Sequence, residues 1–255
     1  MPLLCLTIIG FFIGLIIIAL GGGGGGLYVG ILTALFNVPP AIAASTSLAT
    51  IIPTTTVGMI GHWKAGNVNF KLGSIMMISA IIGTILGSLC SGYIPEKFYN
   101  QITGSLLLIL GIQMIIGFLK NKKKNNLQEK QQYKKSDFFK AIFYGILGGT
   151  LSGLVGISGT TPIVAGLMVL GCNVLEVVGT SVFVLVGIST VGFLIHLELG
   201  NVNWKLVFML ILGTSTGALL APYILSKLNR NIVEKVLPPL IIVLTLTMGA
   251  IVVLK

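Results

Sequence analysis

The stretch HWKAGNVNFKL at residues 62–72 (the first connector) returns as HLELGNVNWKL at residues 196–206 (the second connector). Seven of the eleven positions are identical, and the offset between the two copies is 134 residues. The same offset extends well beyond the connectors, and it pairs Thr46 with Thr180. The sequence therefore predicts two halves built on one plan.

The composition identifies an integral membrane protein. The chain is 55% hydrophobic and only 9% charged, and its mean hydropathy is +1.03, whereas a soluble domain carries about 25% charged residues. The net charge of +10 does not indicate a nucleic-acid partner, because eight of the sixteen basic residues lie in Lys120–Lys140. Such a cluster is typical of a cytoplasmic connector.

Apolar runs predict the membrane spans, because a helix needs roughly 20 apolar residues to cross the hydrocarbon layer. Runs of that kind lie near residues 3–20, 41–61, 72–93, 102–119, 138–157, 175–195, 206–225 and 232–254. Two shorter segments, 27–36 and 162–170, each follow a glycine-rich break. The amino terminus has no basic region or cleavage site and is expected to be a retained span.

The expected fold is an all-α, polytopic protein of the cell membrane with two homologous repeats. The first repeat covers residues 1–119, a basic cytoplasmic linker covers 120–137, and the second repeat covers 138–255. Glycine-broken helices of the two repeats are expected to meet near the midplane, as they do in transporters built from paired repeats.

The charge pattern favours repeats of inverted topology. In the first half, the first connector carries two lysines and residues 95–100 are neutral overall. In the second half this bias reverses, because the second connector is neutral and residues 226–235 carry three basic residues. The first connector is therefore expected on the cytoplasmic side and the second on the opposite side.

The glycine-rich breaks indicate where a charged substrate binds. No Asp, Glu, Lys or Arg lies in the middle of a span, so an anion would have to be held by hydroxyls, backbone N–H groups and helix N-termini. GGGGGG at 21–26 and GISGT at 156–160 must be buried in protein or line a wet cavity, although a packing hinge is the alternative. The predicted substrate-binding residues are Gly22, Gly25, Thr46, Ser47, Gly156, Gly159, Thr180 and Ser181.

A second set of residues is expected to line the pathway or form a gate. These residues are Pro53, Thr56, Thr190, His62 and His196. The alternative for the hydroxyls is a bond to a carbonyl of their own or a neighbouring helix, and the alternative for the histidines is a structural role. The connector asparagines are expected to form a structural turn.

Neither a metal nor a cofactor is predicted, because the three cysteines have no metal-ligand spacing. An intramembrane serine protease is an alternative, since residues 156–159 match the GxSG form and Ser158 would be the nucleophile. A membrane subunit of a larger importer is another, although the sequence holds no nucleotide-binding motif. The expected partners are a small anion and the lipid bilayer, and a homodimer is compatible with this interpretation.

With these features in view, the chain resembles the sulfite exporter TauE/SafE family of membrane proteins. The resemblance covers nearly the whole length and rests on the glycine-rich segment, on PPAIAASTSLATI at 39–51 and on the GNVN turn in both halves. GISGTTP at 156–162 departs from the family's longer glycine run, and Asn69 and Asn203 replace its usual acidic residue in the turn. The resemblance implies a transporter, not an enzyme, that exports sulfite, sulfoacetate or related small anions.

Overall fold

The computed structural model of the protein describes residues 2–91, 96–124, 134–155, 159–199 and 202–253, and the regular structure within these ranges is entirely helical. The helices are α1 (Pro2–Ala19), α2 (Gly25–Phe36), α3 (Pro40–Lys64), α4 (Phe70–Ser91), α5 (Glu96–Lys124), α6 (Lys135–Val155), α7 (Thr160–Val169), α8 (Val174–Leu199), α9 (Trp204–Lys227) and α10 (Arg230–Val253). The predicted all-α polytopic fold is confirmed. Helices α2 and α7 correspond to the two short segments that follow the glycine-rich breaks.

By length and composition alone, four of the described helices are long and apolar enough to cross a membrane. They are Phe70–Cys90, Val174–Ile195, Trp204–Lys227 and Ile232–Ala250. Large apolar side chains such as Phe208 and Ile78 are more than half exposed on their outer faces. Because helices satisfy their own backbone hydrogen bonds, such faces are stable against lipid.

Helices α1 and α9 pack closely along small residues. A Cβ atom at Gly213 would overlap the backbone carbonyl oxygen of Thr7, and one at Gly217 would overlap that of Phe11. Both contacts advance in the same direction along the two chains, so α1 and α9 run parallel. The close approach is the one predicted for small residues spaced four apart in membrane helices.

The repeat-related pair, α4 and α6, packs in the same way. A Cβ at Gly83 would overlap the carbonyl oxygen of Ile146, and one at Gly87 would overlap that of Thr150. These two helices are therefore also parallel. Each pair joins the first long helix of one half to the fourth helix of the other half, so the halves interlock.

Helices α3 and α8 pack against each other at the centre, and a tight turn follows α3. The N–H of Asn67 donates to the His62 carbonyl at 2.9 Å, and that of Gly66 donates to the Trp63 carbonyl at 2.9 Å. This hydrogen-bond pattern closes a helix with a residue in the left-handed region. Gly66 has a φ of 73°, which explains the glycine in the GNVN turn.

Candidate functional site

The glycine-rich break between α1 and α2 crosses the protein interior as a non-helical strap, residues 21–24. Gly21 and Gly24 both have a φ of 76°, a conformation that residues with a Cβ rarely adopt. Gly21 also lies against α8, where a Cβ would come within 2.5 Å of the Ser181 hydroxyl oxygen. Gly21 and Gly24 therefore allow a backbone path that side chains at these two positions would block.

The breaks of the two halves meet in space. The backbone N–H of Gly23 donates to Oγ1 of Thr160 at 3.3 Å, and Thr160 is the first residue of α7. A Cβ at Gly22 would lie 3.7 Å from Cγ2 of the same threonine. Gly159 is buried, and a Cβ there would overlap the Gly148 carbonyl. Gly156, like Ser158, falls outside the described residues.

Two of the predicted binding serines contact this strap or the start of α2. The Ser181 hydroxyl donates to the Gly21 carbonyl at 2.7 Å, and the Ser47 hydroxyl donates to the Gly25 carbonyl at 3.2 Å. Both serines are fully buried or nearly so. The structure thus brings Ser47 and Ser181 to the first break, where each holds backbone.

The two predicted binding threonines contact the connectors of the opposite half. Oγ1 of Thr46 accepts a hydrogen bond from the Asn203 backbone N–H at 3.1 Å, and Oγ1 of Thr180 accepts one from the Asn69 N–H at 2.9 Å. An accepting hydroxyl keeps its own proton available for donation. The sequence alone does not link the hydroxyls to the connectors, whereas the structure joins them.

Asn69 and Asn203 of the connectors have the structural role expected for them. Oδ1 of Asn203 accepts from the Leu206 N–H at 3.3 Å and caps α9. Oδ1 of Asn69 accepts from the Leu72 N–H at 3.1 Å in the same position before α4. A side-chain acceptor at this place satisfies one of the free N–H groups of the first helical turn.

The hydroxyls assigned to the pathway bond their own helices. Thr56 donates to the Ile52 carbonyl at 2.7 Å, and Thr190 donates to the Val186 carbonyl at 2.7 Å. Pro53 lies inside α3, which continues through it. The proline therefore does not divide the helix into two parts.

His62 is fully buried at the end of α3. The Ile18 carbonyl lies beside the ring, but neither ring nitrogen makes a hydrogen bond with a described group. The helix position of His196 is described, but its side chain lies outside the described residues.

A polar pocket that sequence analysis missed lies beside the first connector. It has a volume of about 290 Å³, and Asn67, Asn173 and Glu176 contribute to its lining. Glu176 accepts from Nδ2 of Asn69 at 2.6 Å through Oε1 and from Nδ2 of Asn173 at 3.4 Å through Oε2. One feature of the sequence could have indicated this pocket: Glu176 is a carboxylate that the repeat does not share, since the related position in the first half is Ile42.

Comparison with known proteins decides the family. The model of the family described as sulfite exporter TauE/SafE matches residues 6–250. The chain belongs to this family. It is 30% identical over 227 residues, 89% of each chain, to the probable membrane transporter protein YdhB of Bacillus subtilis. No solved structure matches the chain.

Further relatives carry the same description. The probable membrane transporter protein YtnM of Bacillus subtilis is 32% identical over 87% of this chain and 75% of its own length. A probable membrane transporter protein of Methanocaldococcus jannaschii is 27% identical over 91% of this chain and 87% of its own length. The predicted class is confirmed: this TauE/SafE protein is a multi-pass transporter of the cell membrane and not an enzyme.

Proposed function

We propose that this protein exports small sulfur-containing or organic anions, such as sulfite or sulfoacetate, through a site between its two halves. The observation that carries the proposal is the hydrogen bond between Gly23 and Thr160 at 3.3 Å. It brings the glycine break of one half against that of the other, at the start of two short helices.

The chemistry at this meeting point suits an anion. Helices α2 and α7 both begin there, and their preceding residues are Gly24 and Gly159, which have no side chain to cap the first N–H groups. The free N–H groups and positive end of a helix attract negative charge. The hydroxyls of Thr46, Ser47, Thr180 and Ser181 belong to the helices around this point, and their contacts with strap and connectors support a role in shaping the site.

The proposed site lies between repeats of inverted topology. The start of α9 contacts the first half of α3 at Thr46, and the start of α4 contacts the first half of α8 at Thr180. Since α4 turns back from the end of α3 through the short first connector, this reciprocity supports opposite directions for α3 and α8. Repeats of that kind can expose one central site to each side in turn, and His62, at the end of α3, is proposed as part of the gate.

Export is the direction that membrane energetics favour for an anion. With the inside negative, one elementary charge moved through 100 mV is worth about 2.3 kcal/mol. Efflux of an anion therefore needs no coupling ion. This agrees with a sequence that has no acidic residue in the middle of a span.

Flux into liposomes tests the proposal. Purified protein in vesicles should move sulfite or sulfoacetate without ATP, and a potential that is negative on the anion's side should accelerate the flux. Transport of neither anion, or transport insensitive to the potential, would contradict the proposal. A homodimer is part of the same proposal, and the mass of the solubilised complex tests whether two copies associate.

A pair of neighbouring variants links the flux to the meeting point of the breaks. Thr160→Val removes the acceptor of the Gly23 N–H and should slow the flux strongly. Thr161→Val is the control, because it makes the same chemical change one residue later in α7. Equal flux in both variants would count against a site between the two breaks.

A further inference from the structure

Three buried hydroxyl groups from three helices meet beside the start of α2. Tyr28 of α2, Thr54 of α3 and Thr214 of α9 are each 0% exposed. Oγ1 of Thr54 and Oγ1 of Thr214 lie 2.6 Å apart. The Tyr28 hydroxyl faces both threonines but completes a hydrogen bond with no described group.

The cluster has more hydroxyl protons than its internal hydrogen bonds use. The contact between the two threonines uses one hydroxyl proton, and Thr54 can use its own for the Thr50 carbonyl at 2.8 Å. The Tyr28 proton has no acceptor under either arrangement. The cluster therefore presents one or two unused donors in a region without water-facing surface, and a buried donor without an acceptor is unfavourable unless something else binds it.

The Tyr28 side chain is directed at the glycine strap. Side chains of a helix tilt towards its N-terminus, and Tyr28 lies in the first turn of α2. A Cβ at Gly24 would lie 3.1 Å from Cε2 of the tyrosine ring, so the ring lies against the strap. The first N–H groups of α2 point in the same direction.

The cluster has no counterpart in the second half. The positions related by the 134-residue offset to Tyr28, Thr54 and Thr214 are Pro162, Ile188 and Ala80. All three are buried, and none carries a hydroxyl. This three-hydroxyl cluster is therefore present on the α2 side of the meeting point only, although the backbone around it follows the repeat.

We propose that Tyr28, with Thr54 and Thr214, forms a subsite that binds an oxygen atom of the transported anion. This inference rests on the proposed function and adds to its site a subsite of α2, α3 and α9, which the related positions in α7, α8 and α4 do not repeat. An oxyanion is the ligand class that fits, because the Tyr28 hydroxyl supplies a donor that no described group accepts.

Removal of a single oxygen atom tests the subsite. Tyr28→Phe deletes the unused donor and should raise the KM for sulfite or sulfoacetate by roughly 10- to 150-fold, the range for a hydrogen bond to a charged group. Its melting temperature in detergent should equal or exceed that of the wild type, since no internal hydrogen bond is lost. Flux is measured in vesicles of phosphatidylethanolamine and phosphatidylglycerol.

Tyr144 provides the matched control. Its hydroxyl donates to Oε1 of Gln113 at 2.7 Å, and its side chain is also buried. Tyr144→Phe should therefore lower the melting temperature and leave the KM at the wild-type value, which is the opposite of the pattern expected for Tyr28→Phe.

The possible results separate the subsite from the proposed function. Wild-type flux of sulfite or sulfoacetate with an unchanged KM in Tyr28→Phe overturns the subsite and leaves the transporter function standing. A lower melting temperature with an unchanged KM also overturns it, since the hydroxyl would then be structural. A wild-type protein that moves neither anion overturns both proposals.

Discussion

The backbone N–H of Asn69 donates a 2.9 Å hydrogen bond to Oγ1 of Thr180, 111 positions further along the chain. The repeat-related residues Asn203 and Thr46 make the same contact at 3.1 Å. Each half thus anchors its connector on a hydroxyl of the other half. These reciprocal bonds explain why a polar connector is repeated in an apolar chain.

Removing one of these hydroxyls should weaken the fold. Thr180→Val keeps the shape of the side chain but leaves the partly buried Asn69 N–H without its acceptor, at a cost of about 0.5–1.5 kcal/mol. Thr46→Val should have the same effect on the second connector. Thermal unfolding in detergent measures the loss. The serine variants retain an acceptor and should stay close to the wild type, and equal stability of the Val and Ser variants would contradict this role.

The two connectors should be reached from opposite sides of the membrane. Lys71 and Lys205 are exposed, related by the repeat, and placed near the starts of α4 and α9. Single cysteines at these positions, in a background without Cys5, Cys90 and Cys172, should react with an impermeant maleimide from opposite faces. Lys71→Cys is expected to be protected in intact cells. Labelling of both from the same face would contradict the inverted arrangement.

Much of the fold follows from the sequence because membrane helices leave a strong local signal. Apolar runs gave the positions of the long helices, and the glycine-rich breaks correctly separated α2 and α7 from their neighbours. The four-residue spacing of Gly213 and Gly217 is typical of close helix packing but does not name the partner helix. That partner, α1, lies about two hundred positions earlier, since Gly213 meets Thr7.

The hydrogen bonds of the candidate site were harder to foresee. Thr46 and Thr180 stand out in the sequence because both halves carry a threonine at this position. Polar residues that only one half carries do not stand out in this way. Tyr28 and Thr214 have apolar counterparts in the other half, so a search for repeated polar residues passes over them. Their meeting depends on α2, α3 and α9 packing together, which no local pattern records.

Gly149, at the α4–α6 interface, should tolerate no side chain. A Cβ at Gly149 would overlap the Ala80 carbonyl oxygen, so Gly149→Ala must push the two helices apart or fail to assemble. Gly30→Ala is the control, because nothing lies within 4 Å of a Cβ there, and alanine is favoured over glycine inside a helix by about 0.5–1 kcal/mol. Fluorescence-detected size exclusion should show aggregated or absent Gly149→Ala protein and normal Gly30→Ala protein. Normal behaviour of Gly149→Ala would contradict the close contact.

The pair formed by Asn69 and Glu176 should make one substitution strongly pH-dependent. Nδ2 of Asn69 lies 2.6 Å from Oε1 of Glu176, so Asn69→Asp places two carboxyl groups in contact. Like charges at such a distance cost several kcal/mol, unless one group keeps a proton. The folded protein then binds this proton more tightly than the unfolded chain does, and stability relative to the wild type is lost as the pH rises.

The melting temperature of Asn69→Asp should therefore fall below that of the wild type at about pH 8 and approach it at about pH 5, on the two sides of the range in which a paired carboxyl titrates. The cap on Leu72 is not the cause, because an aspartate oxygen accepts that 3.1 Å bond as an asparagine oxygen does. Adding Glu176→Gln supplies an amide donor in place of the second carboxylate and should restore the wild-type melting temperature at both pH values. An Asn69→Asp variant whose deficit does not change with pH, or which the second substitution does not rescue, would show that the two side chains do not meet.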